Sequence, residues 1–272
     1  MAGSVHFPSL QQQRATFCEK TFAGVYTRLR TPPASALSLY AQLLQKEIDF
    51  LHARGKQAAL ADVGAGTGLY IGALFERLRG LDTYTAIEPS AAMADEIERH
   101  LPLLKNARFI ATGIPLNPPL PDQNMAWASD IAHLFENPSD LVEGLLASFS
   151  ELASIIIRSN TRQTILQVDW GVHFPELLAH ECARQPDLDE LEQALVAAGF
   201  AIESSQVIDE SVFLPLDLYL EYYTSKPFSG MRLLGRAAFK SGFSRLLAAA
   251  QGRSEVERVI HRQIIVARRS DV

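Results

Sequence analysis

Short apolar segments alternate with longer amphipathic segments along most of the chain. Apolar residues recur at helical spacing in four segments: Leu69–Leu78, Ala91–His100, Ser139–Leu152 and Leu188–Ala198. Seven other segments have the length and composition of strands: Ala58–Val63, Thr83–Ile87, Arg108–Ala111, Met125–Ser129, Ser154–Arg158, Ala201–Ile208 and His261–Ala267. Strands that alternate with helices favour parallel pairing through right-handed crossovers. We therefore predict an α/β fold, in which helices cover both faces of a Rossmann-like, seven-stranded, mostly parallel sheet.

Two segments lie outside this alternation. Residues 8–54 are predicted to be helical, with an apolar stripe along Ala36–Leu51. Residues 211–252 are predicted to form helices that carry six large side chains: Phe213, Leu214, Leu218, Tyr219, Tyr222 and Tyr223. Because ligands bind at the carboxyl edge of such sheets, we expect both segments to reach that edge. We predict one domain over residues 1–272, made of four parts: an N-terminal helical cap (8–54), a cofactor-binding core (55–210), a helical lid insertion (211–252), and the last strand with its tail (253–272).

A glycine-rich turn follows the first strand. Asp62 is followed by glycine at three alternate positions, Gly64, Gly66 and Gly68, and then by an amphipathic helix. Glycine tolerates positive φ and has no side chain to hold off a ligand, and the free N–H groups of the helix point into the same crevice. Glu88 ends the second strand, where its carboxylate can accept hydrogen bonds from both hydroxyls of a ribose. This pattern predicts an adenosine-type cofactor.

The spacing of the glycines distinguishes between cofactors. The dinucleotide pattern G-x-G-x-x-G would place its third glycine at position 69, which is Leu69. The chain instead has Asp-x-Gly-x-Gly-x-Gly, which resembles motif I of the class I S-adenosylmethionine-dependent methyltransferases. The segment from Ile87 to Met93 resembles their second motif, and the likeness extends over most of residues 17–268. It points to small-molecule methyltransferases of the ubiquinone and menaquinone type.

The resemblance implies S-adenosylmethionine as the cofactor, a reversed seventh strand, and methyl transfer to an oxygen, nitrogen or carbon of a small-molecule metabolite. It also implies a set of cofactor-binding residues: Asp62, Gly64, Gly66, Gly68, Glu88, Pro89, Met93, Ile114 and Tyr26. Asp62 is expected to orient the loop, to meet the methionyl ammonium through water, or to serve as a structural cap. Met93 and Ile114 are expected to enclose the adenine or to belong to the core, and Tyr26 to close over the methionine carboxylate.

Candidate catalytic and substrate-binding residues follow the fourth and fifth strands and lie in the lid. A base is needed only where the acceptor must lose a proton, and His133 and Asp130, just after the fourth strand, are the catalytic candidates. An unperturbed histidine titrates near the working pH, although His133 equally suits a helix cap. His173, after the fifth strand, is expected to contact the substrate. Tyr222 and Tyr223 are expected to line the acceptor pocket or to pack the lid.

Composition and charge exclude several other classes. The formal net charge of −6 argues against a nucleic-acid partner, which usually calls for a basic face. The chain has no run of 18 apolar residues and no secretory signal at its N-terminus. Its two cysteines form neither a disulfide framework nor a metal-binding pattern. We therefore expect a cytoplasmic protein that acts on a small molecule, without a metal and without a membrane or nucleic-acid partner.

Two alternatives keep the same fold and cofactor. One is an enzyme that uses the charge of the sulfonium for another reaction, such as cyclisation or decarboxylation. The other is a non-catalytic protein that binds S-adenosylmethionine as a sensor or scaffold. A nicotinamide dehydrogenase is a remote third possibility, because Leu69 stands where the pyrophosphate would approach the backbone.

Overall fold

The computed structural model of the chain describes residues 32–97, 106–226 and 229–269. At its centre is a seven-stranded sheet with the order β3-β2-β1-β4-β5-β7-β6. The strands are β1 (Ala59–Val63), β2 (Thr83–Ile87), β3 (Ala107–Ile110), β4 (Met125–Ser129), β5 (Ser154–Ser159), β6 (Phe200–Pro215) and β7 (Glu255–Arg269). The first five strands pair in parallel, whereas β7 is antiparallel to both β5 and β6. The predicted fold class, including the reversed last strand, is confirmed.

Helices cover both faces of the sheet because apolar residues alternate between the two sides of the central strands. Leu60 of β1 faces one apolar cluster and Ala61 the other, and such burial on both sides is typical of parallel strands. The helices are α1 (Ala34–His52), α2 (Leu69–Phe75), α3 (Ala91–Ile97), α4 (Pro138–Ser148), α5 (Arg162–Ile165), α6 (Pro175–Arg184), α7 (Leu188–Ala197), α8 (Leu216–Thr224), α9 (Ser229–Leu233) and α10 (Arg236–Ala250). Of the predicted N-terminal cap, residues 8–31 lie outside the described residues.

Strands β6 and β7 extend well beyond the predicted Ala201–Ile208 and His261–Ala267. They pair with each other from Phe200 opposite Arg269 to Pro215 opposite Glu255. Since β5 ends at Ser159 opposite Gln263, the part of β7 before Gln263 projects past the carboxyl edge of the sheet. We call this projection the ribbon (residues 208–215 and 255–262). The prediction missed it because its outer face is exposed and its inner face carries charged residues.

The ribbon leads into a third apolar cluster at the carboxyl edge of the sheet. We call this region the cap; it comprises residues 162–184 and 216–250. Helix α8 and the 3₁₀ turn Asp169–Val172 both contact β7, and α10 packs against the segment before α6. The cluster is buried and largely aromatic; its large members are Ile165, Trp170, Phe174, Leu177, Tyr219, Tyr222, Tyr223, Met231 and Leu246. Phe213 and Leu214, predicted on lid helices, lie instead in β6.

The described helices include none long and apolar enough to cross a membrane.

Candidate functional site

The glycine-rich turn forms a tight bend between β1 and α2. Gly64, Gly66 and Gly68 have φ values of +71°, +61° and +72°, a region that side-chain-bearing residues rarely adopt. The N–H groups of Gly64 and Ala65 donate to the carbonyl of Ile87, at 2.8 and 3.1 Å. The first two glycines differ in their surroundings. A Cβ on Gly64 would lie 2.3 Å from Cγ2 of Ile131, whereas one on Gly66 would meet only the Gly64 carbonyl, at 3.9 Å. There is therefore open space over Gly66.

Glu88 lies directly beside this turn. Its Oε2 accepts a hydrogen bond from the N–H of Gly66 at 2.9 Å, and its Oε1 accepts one from the N–H of Ser90 at 2.8 Å. Burial raises the pKa of Glu88, and these two N–H donors oppose the rise. A carboxylate has about four lone-pair sites, so each oxygen can still accept one further hydrogen bond. Glu88 is therefore equipped to bind two ligand hydroxyls while it holds the glycine turn in place.

Asp62 is buried at the end of β1. The hydroxyl of Tyr84 donates to its Oδ2 at 2.8 Å, and burial raises the pKa of Asp62 to about 7. Among the described residues, N–H groups of the glycine turn donate to the Ile87 carbonyl and to Glu88, and the orienting role expected of Asp62 stays a prediction. Nearby, Oγ1 of Thr67 is buried and has no hydrogen-bond partner in the described part of the chain. Both groups suit a polar ligand in the turn.

The residues expected around the adenine fall into two groups. Pro89 is exposed. A Cβ added to Gly113 would lie 4.0 Å from the Cβ of Pro89, so the turns after β2 and β3 lie side by side. Ile114 is half-buried and packs against Gly144 of α4. Met93 is buried inside α3, with 2% of its surface exposed. Pro89 and Ile114 are thus at least partly exposed, whereas Met93 is buried, and the contact of these residues with the adenine stays a prediction. Tyr26 lies outside the described residues.

A buried guanidinium joins the strand ends to the helix that follows the glycine turn. Arg158 of β5 donates from Nη1 to Oδ2 of Asp130 at 2.7 Å and from Nη2 to the Tyr70 hydroxyl at 2.6 Å. Its Nε donates to Oε1 of Glu210 at 3.0 Å. Tyr70 lies in the first turn of α2, so the same arginine fixes the start of that helix. We call this group the Arg158 cluster; its members are Tyr40, Tyr70, Asp130, Arg158, Glu210 and Arg262.

The other members of the cluster complete its charge balance. The hydroxyl of Tyr40 on α1 donates to Oε1 of Glu210 at 2.6 Å. Arg262 of β7 forms an ion pair from Nη1 to Oδ1 of Asp130 at 2.9 Å. Burial raises the pKa of Glu210, but the charges of Arg158 and Arg262 outweigh this effect and lower that pKa below its ordinary value. Two arginines therefore neutralise two carboxylates in the interior of the site.

This arrangement changes the interpretation of the catalytic candidates. Both oxygens of the Asp130 carboxylate face guanidinium groups, of Arg158 and of Arg262. These ion pairs make Asp130 part of the Arg158 cluster, and its role in catalysis stays a prediction. His133 is buried in the 3₁₀ turn Ala132–Leu134, which follows directly. Its role as a base stays a prediction.

The expected substrate residues lie in the cap. Tyr222 and Tyr223 are buried, and their ring centroids are 5.2 Å apart in an edge-to-face arrangement. The carbonyl of His173 accepts hydrogen bonds from Nη2 and Nε of Arg245 on α10, at 2.6 and 3.1 Å. Desolvation lowers the pKa of the His173 imidazole. These residues build the cap, and their contact with a substrate stays a prediction.

The sequence analysis missed the charged residues Arg158, Glu210, Arg258 and Arg262. The spacing of Arg258 and Arg262 could have indicated them, because residues four positions apart share one face of a strand. This spacing can be interpreted only when β7 is known to begin at Glu255. Among the described residues, no three His, Cys, Asp or Glu side chains are arranged to hold a metal ion.

Comparison with known proteins identifies the fold but no near relative. No protein-family model matches the chain, and no curated protein is similar to it in sequence. Among solved structures, the cyclopropane synthase MmaA2 from Mycobacterium tuberculosis matches with a TM-score of 0.57 and 14% identity, over 96% of this chain and 99% of that one.

Two further structures give similar values. A putative methyltransferase from an antibiotic biosynthesis pathway of Anabaena variabilis matches with a TM-score of 0.53 and 18% identity, over 82% of this chain and 96% of that one. The plantazolicin methyltransferase BamL matches with a TM-score of 0.51 and 19% identity, over 94% of this chain and 97% of its own. Together with the strand order and the reversed β7, these matches show that the chain has the fold of the class I S-adenosylmethionine-dependent methyltransferases.

Proposed function

We propose that this protein is a methyltransferase that moves a methyl group from S-adenosylmethionine to an oxygen, nitrogen or carbon of a small-molecule metabolite. One observation carries the proposal. Glu88 accepts a hydrogen bond from Gly66, has spare acceptor sites, and lies beside the open space over Gly66. A ribose bound by Glu88 would place the rest of the cofactor along Gly64–Gly68. The solved neighbours that were crystallised with S-adenosylhomocysteine support this choice of cofactor.

The chain's own residues would mainly bind and position. When bound, the cofactor supplies an electrophilic methyl group on a sulfonium. Glu88 would hold the ribose hydroxyls, and Asp62 would face the positively charged ammonium. The Arg158 cluster would keep α2 and the ends of β4 and β5 in fixed positions. The cap would cover the acceptor and exclude water. Alignment and desolvation of this kind can supply most of the acceleration of a methyl transfer.

The finer assignments belong to the same proposal. We infer that Pro89 and Ile114 border the adenine and that His133 takes the acceptor's proton where the acceptor has one to lose. The motif resemblance favours the ubiquinone and menaquinone branch, and the sparse cysteines favour a cytoplasmic setting. One domain, with the cap as its lid, is the organisation that we propose for the described residues.

The test is calorimetric titration with S-adenosylmethionine, S-adenosylhomocysteine and NAD. We expect the first two to bind and NAD not to bind. Glu88→Ala should weaken the binding of S-adenosylhomocysteine by about ten- to a hundredfold, since a hydrogen bond to a charged group contributes about 1.5–3 kcal/mol. Asp122→Ala is the matched control, because it removes an exposed carboxylate that pairs with Arg108 away from the turn. Affinity that does not depend on Glu88 would refute the proposed cofactor site.

The two alternatives with the same cofactor differ in their product. A methyltransferase releases S-adenosylhomocysteine at each turnover, whereas a sensor binds the cofactor without consuming it. An enzyme that uses only the charge of the sulfonium, for cyclisation or decarboxylation, neither transfers the methyl group nor needs to consume the cofactor. Incubation with methyl-labelled S-adenosylmethionine and a set of metabolite acceptors identifies methyl transfer, because it releases S-adenosylhomocysteine and places the label in the acceptor.

A further inference from the structure

We propose that the methyl acceptor is an apolar acid and that Arg258, on the inner face of the ribbon, binds its anionic group. This inference rests on the proposed methyl transfer and adds a substrate class to it.

Arg258 lies between the cofactor edge and the cap. On β7 it is opposite Val212, while Arg262 is opposite Ile208, so both arginines point to the same side of the ribbon. Four residues of strand separate them, which corresponds to about 13 Å along the chain. Arg262 belongs to the Arg158 cluster at the strand ends. Arg258 therefore lies about one small molecule's length beyond that cluster, toward the cap.

The guanidinium of Arg258 is buried but not satisfied. The residue exposes 5% of its surface, and neither its Nε nor its Nη1 has a hydrogen-bond partner in the described part of the chain. Its contact with the ring of Tyr222, 4.3 Å from the ring centroid, offers a π-face and no acceptor. A buried charge without partners is costly, and buried polar groups in proteins are nearly always paired. A ligand that accepts hydrogen bonds from Nε and Nη1 would supply the missing partners of the Arg258 guanidinium.

The surrounding charges leave Asp169 as the carboxyl group that acts on Arg258. Asp130 and Glu210 are matched by Arg158 and Arg262. The remaining carboxyl group near Arg258 is Asp169 of the 3₁₀ turn. Its Oδ1 accepts a hydrogen bond from the N–H of Trp170 at 2.8 Å, and the side chain of Tyr223 hydrogen-bonds to the same carboxyl group. Burial raises the pKa of Asp169, although this N–H and the charge of Arg258 oppose the rise.

Arg258 suits a carboxylate or phosphate ligand. The guanidinium donates to an anionic oxygen of such a ligand. The apolar part of the acid would contact the aromatic side of the cap, to which Trp170, Tyr222 and Val256 belong. Because the unpaired nitrogens are sealed from solvent, the acid reaches them when the cap moves away from the ribbon. The opposite end of the acid would then face the glycine turn.

The test uses the full chain saturated with S-adenosylhomocysteine and three probes of one shape: benzoate, phenyl phosphate and benzamide. We expect one or both anions to bind, as measured by calorimetry, and neutral benzamide not to bind. The stronger of the two anions tells whether the site prefers a carboxylate or a phosphate. Arg258→Met should weaken the binding of the anion by about ten- to a hundredfold, and Arg258→Lys should retain part of it.

A stability measurement separates a binding role from a structural one. If Arg258 serves a ligand, Arg258→Met removes an unpaired buried charge, and its melting temperature should equal or exceed that of the wild type. Arg262→Met is the matched control on the same strand face; it breaks ion pairs and should lower the melting temperature.

Three results would overturn the inference: neither anion binds the wild type, benzamide binds as well as benzoate, or Arg258→Met lowers the melting temperature as much as Arg262→Met. Each is distinct from a failure of the proposed function, which would show as a lack of S-adenosylhomocysteine binding.

Discussion

Two carboxyl groups at the ends of neighbouring strands have different environments and therefore different tasks. Glu88 keeps two backbone donors, from Gly66 and Ser90, whereas Asp62 has a tyrosine hydroxyl and is otherwise enclosed by apolar strands. Burial without compensating donors favours the neutral form of a carboxyl. Burial raises the pKa of Asp62 to about 7, so its charge changes near neutral pH.

The raised pKa of Asp62 has a consequence for stability. The carboxyl ionises at about 7 in the folded protein and at its ordinary 3.8 in the unfolded chain. Between these values the folded state holds one more proton, so the free energy of unfolding falls as pH rises, by at most about 1.4 kcal/mol per pH unit. This contribution is fully present below the lower value and is lost as pH rises through the upper one.

Asp62→Asn should remove that slope. Urea unfolding at several values between about pH 4.5 and 6.5 measures it, and we expect the variant to lose less stability across this window than the wild type. Asp122→Asn is the control: Arg108 holds the pKa of Asp122 below its ordinary value despite slight burial, so this group stays ionised throughout the window. Equal slopes for wild type and Asp62→Asn would contradict the assignment.

At the scale of elements, the cap and the cofactor turn are built separately. The turn depends on β1, β2 and α2, and the cap depends on the packing of α8 and α10 against the segment before α6. Gly242 of α10 permits this packing, because a Cβ there would lie 2.2 Å from Cδ1 of Phe174 and 2.8 Å from the carbonyl of His173. The two elements should therefore respond differently to a change in the cap.

Gly242→Ala is expected to push α10 away from Phe174 even though alanine favours a helix more than glycine does. Cleavage of the cap by a protease should become faster, since local opening exposes its backbone, while the affinity for S-adenosylhomocysteine should stay unchanged. Gly235→Ala provides the control, because a Cβ at Gly235 meets nothing within 4 Å. Faster cleavage in both variants, or a loss of cofactor affinity in Gly242→Ala, would argue against this separation.

The sequence predicts elements well where burial on both sides or a helical stripe dictates the pattern. The limits of β2 and β4 agree with prediction, and β1 differs by one residue. The ribbon was beyond prediction because its pairing is long-range and its inner face combines Glu210, Arg258 and Arg262 with apolar residues, so no period-2 pattern remains. For the same reason the glycine turn and Glu88 were predictable from local spacing, whereas the Arg158 cluster, drawn from five separate elements, was not.

At the scale of the whole molecule, Glu210 joins parts that are far apart in sequence. It accepts from Tyr40 of α1 and Arg158 of β5, it lies within reach of Tyr70 of α2 at 3.3 Å, and it belongs to the ribbon itself. The helix that follows the cofactor turn and the ribbon that leads into the cap are thus fixed through one carboxylate. Loss of the Glu210 charge should therefore weaken the support of both α2 and the ribbon.

Glu210→Gln leaves the buried Arg158 with a weaker partner, and removing one member of a buried ion pair typically costs about 3–5 kcal/mol. We expect a loss toward the lower end, about 3 kcal/mol, because Asp130 still faces Arg158. Urea unfolding measures the loss, and titration should show weaker S-adenosylhomocysteine binding, since Tyr70 and the start of α2 lose part of their support.

Asp209→Asn is the control from the adjacent position: its exposed carboxylate pairs with His261, and exposed pairs contribute about 0–1 kcal/mol. If both variants were equally stable, the Arg158 cluster would not be what connects the cofactor turn to the ribbon, and the rigid support would have to come from apolar packing between α1 and the sheet.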